Sequence, residues 1–123
     1  MSEYRFEPQC IEKPWGWELV WALADEYVGK ILFVRAGQAL SLQYHERKDE
    51  SWYVQEGRAE LLLGEVGGEP SAQEISPGDS FRFRPGTVHR VTALEDTLIL
   101  EVSTPQLDDV VRLEDRYGRA SRS

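Results

Sequence analysis

The sequence predicts an all-β domain, a sandwich or barrel of short strands, and three observations carry that prediction. Its apolar segments are short, rich in β-branched and aromatic residues, and cut repeatedly by Gly and Pro. Phe81, Arg82, Phe83 and Arg84 alternate apolar and charged with period two, the pattern of a strand with one buried face. No stretch before residue 105 sustains a helical period, so many strands with regular turns are left to pack on one another.

The elements follow in order. Trp17 to Leu23 is the first predicted strand, ended by Asp25-Glu26. Val28 to Arg35 is the second, ended by Ala36-Gly37. Leu40 to His45 precedes a charged loop from Glu46 to Glu50. Ser51 to Gln55 and Arg58 to Glu65 flank Glu56-Gly57 and read as a hairpin. Gly67-Gly68-Glu69-Pro70 is a loop, and Gln73 to Ile75 leads into the turn Pro77-Gly78-Asp79. Ser80 to Phe83, Val88 to Ala93 and Thr97 to Ser103 complete roughly eight strands. From Gln106 to Arg119 the chain is largely polar, with Val110, Val111, Leu113 and Tyr117 as anchors. A strand or short helix docked on the barrel is expected there, then a frayed end at Ala120 to Ser123.

The 123 residues suit one domain, with the core barrel over about 13–105 and a tail segment over 106–123. A net charge of -8 argues against nucleic acid or an anionic membrane as partner, yet a few basic residues in a cleft still admit a small anion. The single cysteine, Cys10, cannot form an intrachain disulfide and is expected to be a small, partly buried residue; lone cysteine fits a reducing compartment. Met1 to Gln9 carries Glu3, Arg5 and Glu7 and lacks a signal-peptide core. No apolar run approaches the ~20 residues of a membrane helix. A cytoplasmic protein is expected.

Chemistry concentrates around the two histidines. Gln43 and His45 lie two apart on a predicted strand and so share a face. Glu50 follows across the charged loop, and His89 comes after the turn Pro85-Gly86. Two imidazoles, one carboxylate and one amide from three strands can hold a divalent metal and leave positions open. Taken alone, His45 reads as a surface residue beside Glu46 and Arg47, and His89 as a packed core residue; the joint spacing points to a metal. Zn leads, with Mn, Co, Fe and Ni as alternatives.

At these residues the chain resembles the cupin superfamily. That resemblance implies a single-domain jelly-roll β-barrel with an N-terminal arm and a short C-terminal tail segment. The first cupin motif usually has His where this chain has Gln43, then His45, Glu50 and Gly57. The second is matched by Gly78, Pro85, Gly86 and His89, although Thr92 and Ala93 stand where an asparagine is usual. The sequence is similar above all to the cupin domain of type II mannose-6-phosphate isomerases. The shared stretches are Lys13-Pro14-Trp15-Gly16, Leu40 to His45 with Glu50 and Trp52, Pro85 to Arg90, and Asp108 to Arg119. Glu46 and Arg47 depart from the histidine run that such proteins often carry. Many relatives also carry a nucleotidyltransferase domain in front, for which 123 residues leave no room, so sugar-nucleotide synthesis is not expected.

The resemblance implies a metal-dependent aldose–ketose isomerase interconverting mannose 6-phosphate and fructose 6-phosphate, working as a homodimer. The alternatives are another metal-dependent cupin enzyme, an oxygenase or a different sugar isomerase, and a non-catalytic sugar- or metabolite-binding cupin. With no third histidine, the proton-transfer group must be a lysine, a carboxylate or a water on the metal. Lys48 is the leading candidate, weighed against a plain solvated loop. Lys30 could face a phosphate or sugar hydroxyl, weighed against an edge-strand lysine in water. Arg112 and Arg116 could clamp a phosphate, Arg112 being preferred, weighed against salt bridges to Asp108, Asp109 or Glu114. Arg82, Arg84 and Arg90 are expected to face outwards, and the four tryptophans to serve core or interface.

Overall fold

Alternation of buried and exposed side chains organises the chain into eleven strands, and no helix occurs among residues 4–120, those that the computed structural model describes. The strands are β1 (Gln9–Lys13), β2 (Gly16–Leu23), β3 (Val28–Val34), β4 (Leu42–Tyr44), β5 (Glu50–Glu56), β6 (Ala59–Glu65), β7 (Ser71–Ile75), β8 (Ser80–Phe83), β9 (Thr87–Ala93), β10 (Thr97–Ser103) and β11 (Val111–Glu114). They form two antiparallel sheets, ordered β1-β2-β3-β10-β5-β8 and β11-β4-β9-β6-β7. From β3 onwards the chain crosses repeatedly between them, which makes a jelly roll of two facing sheets.

The inner faces divide along their length. At one end Leu32, Val34, Val54, Leu61, Val91 and Ile99 pack between the sheets and are buried. Each such side chain contributes about 1.5–3 kcal/mol on leaving water. At the other end the same strands turn polar at one level: Lys30, Glu50, His89 and Glu101 are buried too. Strand registers fix that level, since Glu101 lies opposite Lys30 on β3 and Trp52 on β5, while His89 lies opposite Gln43 on β4. Trp52 and Phe83 meet edge to face at 4.8 Å where the apolar and polar ends join.

Several sequence expectations change. β5 and β6 do not form a hairpin: β5 pairs with β10 and β8 in the first sheet, β6 with β7 and β9 in the second. Glu56-Gly57 is instead a corner between sheets. Gly57 has φ +93°, and a Cβ there would lie 2.3 Å from the Asp96 carbonyl oxygen, so only glycine fits. The hairpin partner of β6 is β7. The expected N-terminal arm contains β1, which adds to the edge of the first sheet beside β2. Cys10, expected to be partly buried, is exposed there because β1 has a neighbour on one side only. The tail forms a strand, β11, paired with β4, and the half-buried Tyr117 packs against the core. Of the predicted frayed end, 121–123 lie outside the described residues. Trp15 and Trp52 are core, Trp17 stacks on Phe33 at 5.3 Å, and Trp21 is 44% exposed. No helix among the described residues is long and apolar enough to cross a membrane.

Candidate metal centre and its cavity

His45 lies just past β4, Glu50 opens β5 and His89 sits within β9. Gly86, at φ +86° in the turn before β9, donates its N–H to the His45 carbonyl at 2.8 Å, which draws the two histidine segments together. His89 is wedged between Phe83, stacked at 4.3 Å, and the edge-on Trp52 at 5.5 Å. Each imidazole spends Nδ1 on a main-chain carbonyl, His45 on Asp109 and His89 on Thr87 at 3.0 Å. A carbonyl only accepts, so Nδ1 carries the proton and Nε2 presents a lone pair.

Both Nε2 atoms and Glu50 Oε2 converge, and ligand atoms of the three buried residues lie within 4.8 Å of one another. All three atoms are buried without a well-aligned hydrogen bond. His45 Nε2 and Glu50 Oε2 stand only 2.6 Å apart, a separation between acceptors that a shared cation relieves. Orphaned buried acceptors are costly, and two imidazoles with a carboxylate are a donor set for borderline divalent metals. The residues therefore fit the metal that their spacing predicts. Burial opposes the charge of Glu50, but nearby His45, Lys48 and His89 outweigh it and hold its carboxyl well below the usual range. Burial pushes His89 down, towards the neutral form that ligates.

Gln43 lines the same cavity, and its Oε1 accepts from Ser41 Oγ at 2.7 Å. Lys48 is buried rather than solvated, with Nζ 3.6 Å from Glu50 Oε2 and 3.9 Å from Glu101 Oε2. Burial alone would lower its pKa; the charges of Glu101 and Glu50 win and raise it, which favours an ammonium over a free base. Lys30 is buried on an interior strand and pairs with Glu18 at 3.3 Å, so it is not an edge lysine in water. Arg112 lines the cavity and makes none of the salt bridges to Asp108, Asp109 or Glu114. Arg116 turns away and donates to the Gly37 carbonyl at 2.7 Å. Arg82 pairs with Asp49 on the outside, and Arg90 with Glu114.

The sequence reading missed Glu101. Trp52 Nε1 donates to Glu50 Oε1 at 2.8 Å and to Glu101 Oε1 at 3.1 Å, tying the two carboxyls together. Burial, and then the charge of Glu50, push Glu101 up to about 8. Its signal was present in period two: Thr97, Ile99, Glu101 and Ser103 share the inward face of β10. Arg119, also missed, reaches the cavity from the turn after β11.

The family profile described as a cupin domain matches residues 31–103. The chain is 34% identical over 113 residues to the mannose-1-phosphate guanylyltransferase ManC of Salmonella typhimurium, covering 89% of this chain and 23% of that protein. It is 31% identical over 114 residues to the xanthan biosynthesis protein XanB of Xanthomonas campestris pv. campestris, covering the same shares, 89% and 23%. The chain thus spans about a quarter of the length of these curated relatives. Among solved structures, KdgF from Halomonas sp. superposes with a TM-score of 0.67 at 28% identity, over 84% of this chain and 91% of that one.

Proposed function

The chain belongs to the cupin domain family, and on that premise we propose that it is a metal-dependent aldose–ketose isomerase interconverting mannose 6-phosphate and fructose 6-phosphate. The observation that carries this reading is the contact of two kinds of chemistry in one cavity. Gln43, His45, Glu50 and His89 would hold the ion, and Lys48 and Glu101 stand beside Glu50. When bound, a divalent metal supplies Lewis-acid polarisation of the substrate carbonyl and the enediol oxygens.

Glu101 removes the proton from C2 of the open-chain aldose and returns it to C1; a pKa near 8 lets it take up and release protons at neutral pH. The Lys48 ammonium donates to O1 as the C1 carbonyl becomes a hydroxyl, and recovers a proton from O2 as C2 becomes the carbonyl. The cavity wall of Leu32, Leu40 and Trp52, all buried, keeps bulk water from the enediol intermediate. Lys30 and Arg112 take the hydroxyls and the phosphate.

The test is to load the protein with Zn, Mn, Co or Fe and follow fructose 6-phosphate formed from mannose 6-phosphate. Turnover is expected, is abolished by chelation, and drops by about 10²–10⁴ in Glu101→Gln. No turnover with any metal, in folded and loaded protein, overturns the reading. Thermal stabilisation by the sugar without turnover would instead mark a binding module.

A further inference from the structure

The cations of the cavity are unequally partnered. Lys30 is matched by Glu18, and Lys48 by Glu50 and Glu101. Arg112 lies opposite Gln43 on β4, as Gln43 lies opposite His89 on β9, so the three form one row across the inner face of the second sheet. Its Nε is buried with no hydrogen-bond partner. Arg119 lines the same cavity and is held from behind. The fully buried Asp115 side chain accepts from Arg119 Nε at 2.9 Å, from Nη2 at 3.2 Å and from its backbone N–H at 2.6 Å. The Tyr117 ring lies 5.8 Å from the Arg119 guanidinium carbon. Burial, and then the charge of Arg119, lower the pKa of Arg112, so the two guanidiniums feel each other.

Like charges brought together, with one donor left orphaned, cost energy unless an anion joins them. We propose that Arg112 and Arg119 form an anion seat at the tail end of the cavity, built for the phosphate monoester of a substrate whose other end meets the metal ligands. Arg119 spends its Nε/Nη2 fork on Asp115 and keeps its Nη1 side free; that side together with the Arg112 guanidinium matches the several oxygens and double charge of a phosphate monoester better than the single plane of a carboxylate. Asp115 is the positioning residue that fixes the Arg119 fork. Arg116, on the same segment, is excluded by its bond to Gly37. For the sugar portion of its ligand the seat rests on the isomerase reading; its anion chemistry does not.

The experiment uses metal-stripped protein, so that turnover plays no part. Calorimetry with inorganic phosphate, mannose 6-phosphate, mannose and glucuronate is run on the wild type and on Arg112→Gln, Arg112→Lys, Arg119→Gln and Arg116→Gln. Phosphate and mannose 6-phosphate are expected to bind and mannose not to. Affinity should fall about tenfold or more in both glutamine variants, fall less in Arg112→Lys, and stay within about twofold in Arg116→Gln. Circular dichroism and melting establish that each variant is folded; if Arg119→Gln loosens the tail, the two Arg112 variants decide. Three results overturn the seat: no phosphate binding by the wild type, unchanged phosphate affinity in folded Arg112→Gln, or glucuronate bound more tightly than mannose 6-phosphate. Arginine-dependent phosphate binding without turnover keeps the seat and removes the isomerase. Turnover whose KM ignores Arg112→Gln and Arg119→Gln keeps the isomerase and removes the seat.

Discussion

The Asp109 carboxylate accepts the backbone N–H groups of Glu46, Arg47 and Lys48 at 3.0, 2.6 and 2.8 Å, while its own carbonyl accepts from His45 Nδ1. One residue thereby shapes the loop between two ligands and aims one of them. In Asp109→Ala three N–H groups lose their acceptor, and metal affinity should drop about 10–100-fold with the barrel intact. Competition against a chelator of known affinity measures it; wild-type affinity in the variant would count against this role. His45, Glu50 and His89 were legible in the sequence because scarce residue types stood at motif spacing. Asp109 was not: it was weighed as a salt-bridge partner for arginine, and nothing in a sequence marks a carboxylate that caps a loop sixty residues away. Glu101 was hidden differently, since one glutamate in a strand reads as surface unless the inward register is counted.

At the scale of elements, the turn after β11 stands on Asp115. The Arg119 side-chain donors lead the causes that lower its pKa, so the folded value lies below the unfolded value of about 3.9. Its stabilising contribution is therefore complete above about pH 4 and is lost as pH falls through the lower folded value. In metal-free protein, the protection of the Arg119 amide, taken relative to its intrinsic exchange rate at each pH, should fall on acidification below about pH 4, and in Asp115→Asn it should be low already at neutral pH. Equal exchange in the two proteins at pH 7 would refute the link. Strand positions were read well because period two is local. Pairing was read less well: Glu56-Gly57 suits a hairpin turn and a corner between sheets equally, and only the distant partners β10 and β9 decide. β1 was read as an arm because Gln9 to Lys13 shows no buried alternation, its support coming from β2 alone.

For the whole molecule, the outward face of the first sheet is unusually apolar. Ile31, Phe33, Leu98, Leu100, Val102 and Tyr53 lie there in register across β3, β10 and β5, with Val102 57% and Tyr53 43% exposed. Antiparallel sheets that face water normally alternate to polar on that side. Copies of a chain with net charge -8 repel one another, least where charge is absent, so a second copy is the expected occupant. Sedimentation should give twice the 14.1 kDa of one chain, and Leu100→Glu should yield monomers that keep their metal. A monomeric wild type at about 50 µM, a concentration where a μM-class interface would be filled, would remove the homodimer. The bond from His45 Nδ1 to the Asp109 carbonyl also has a consequence beyond geometry. It selects one of two imidazole tautomers, and the selector belongs to the segment leading into the last strand. Seating of that segment and occupancy of the centre are then linked quantities: each must favour the other by the same free energy. A protease that cuts within residues 106–119 should accordingly be slowed by metal, and the protein, once cut there, should release its metal.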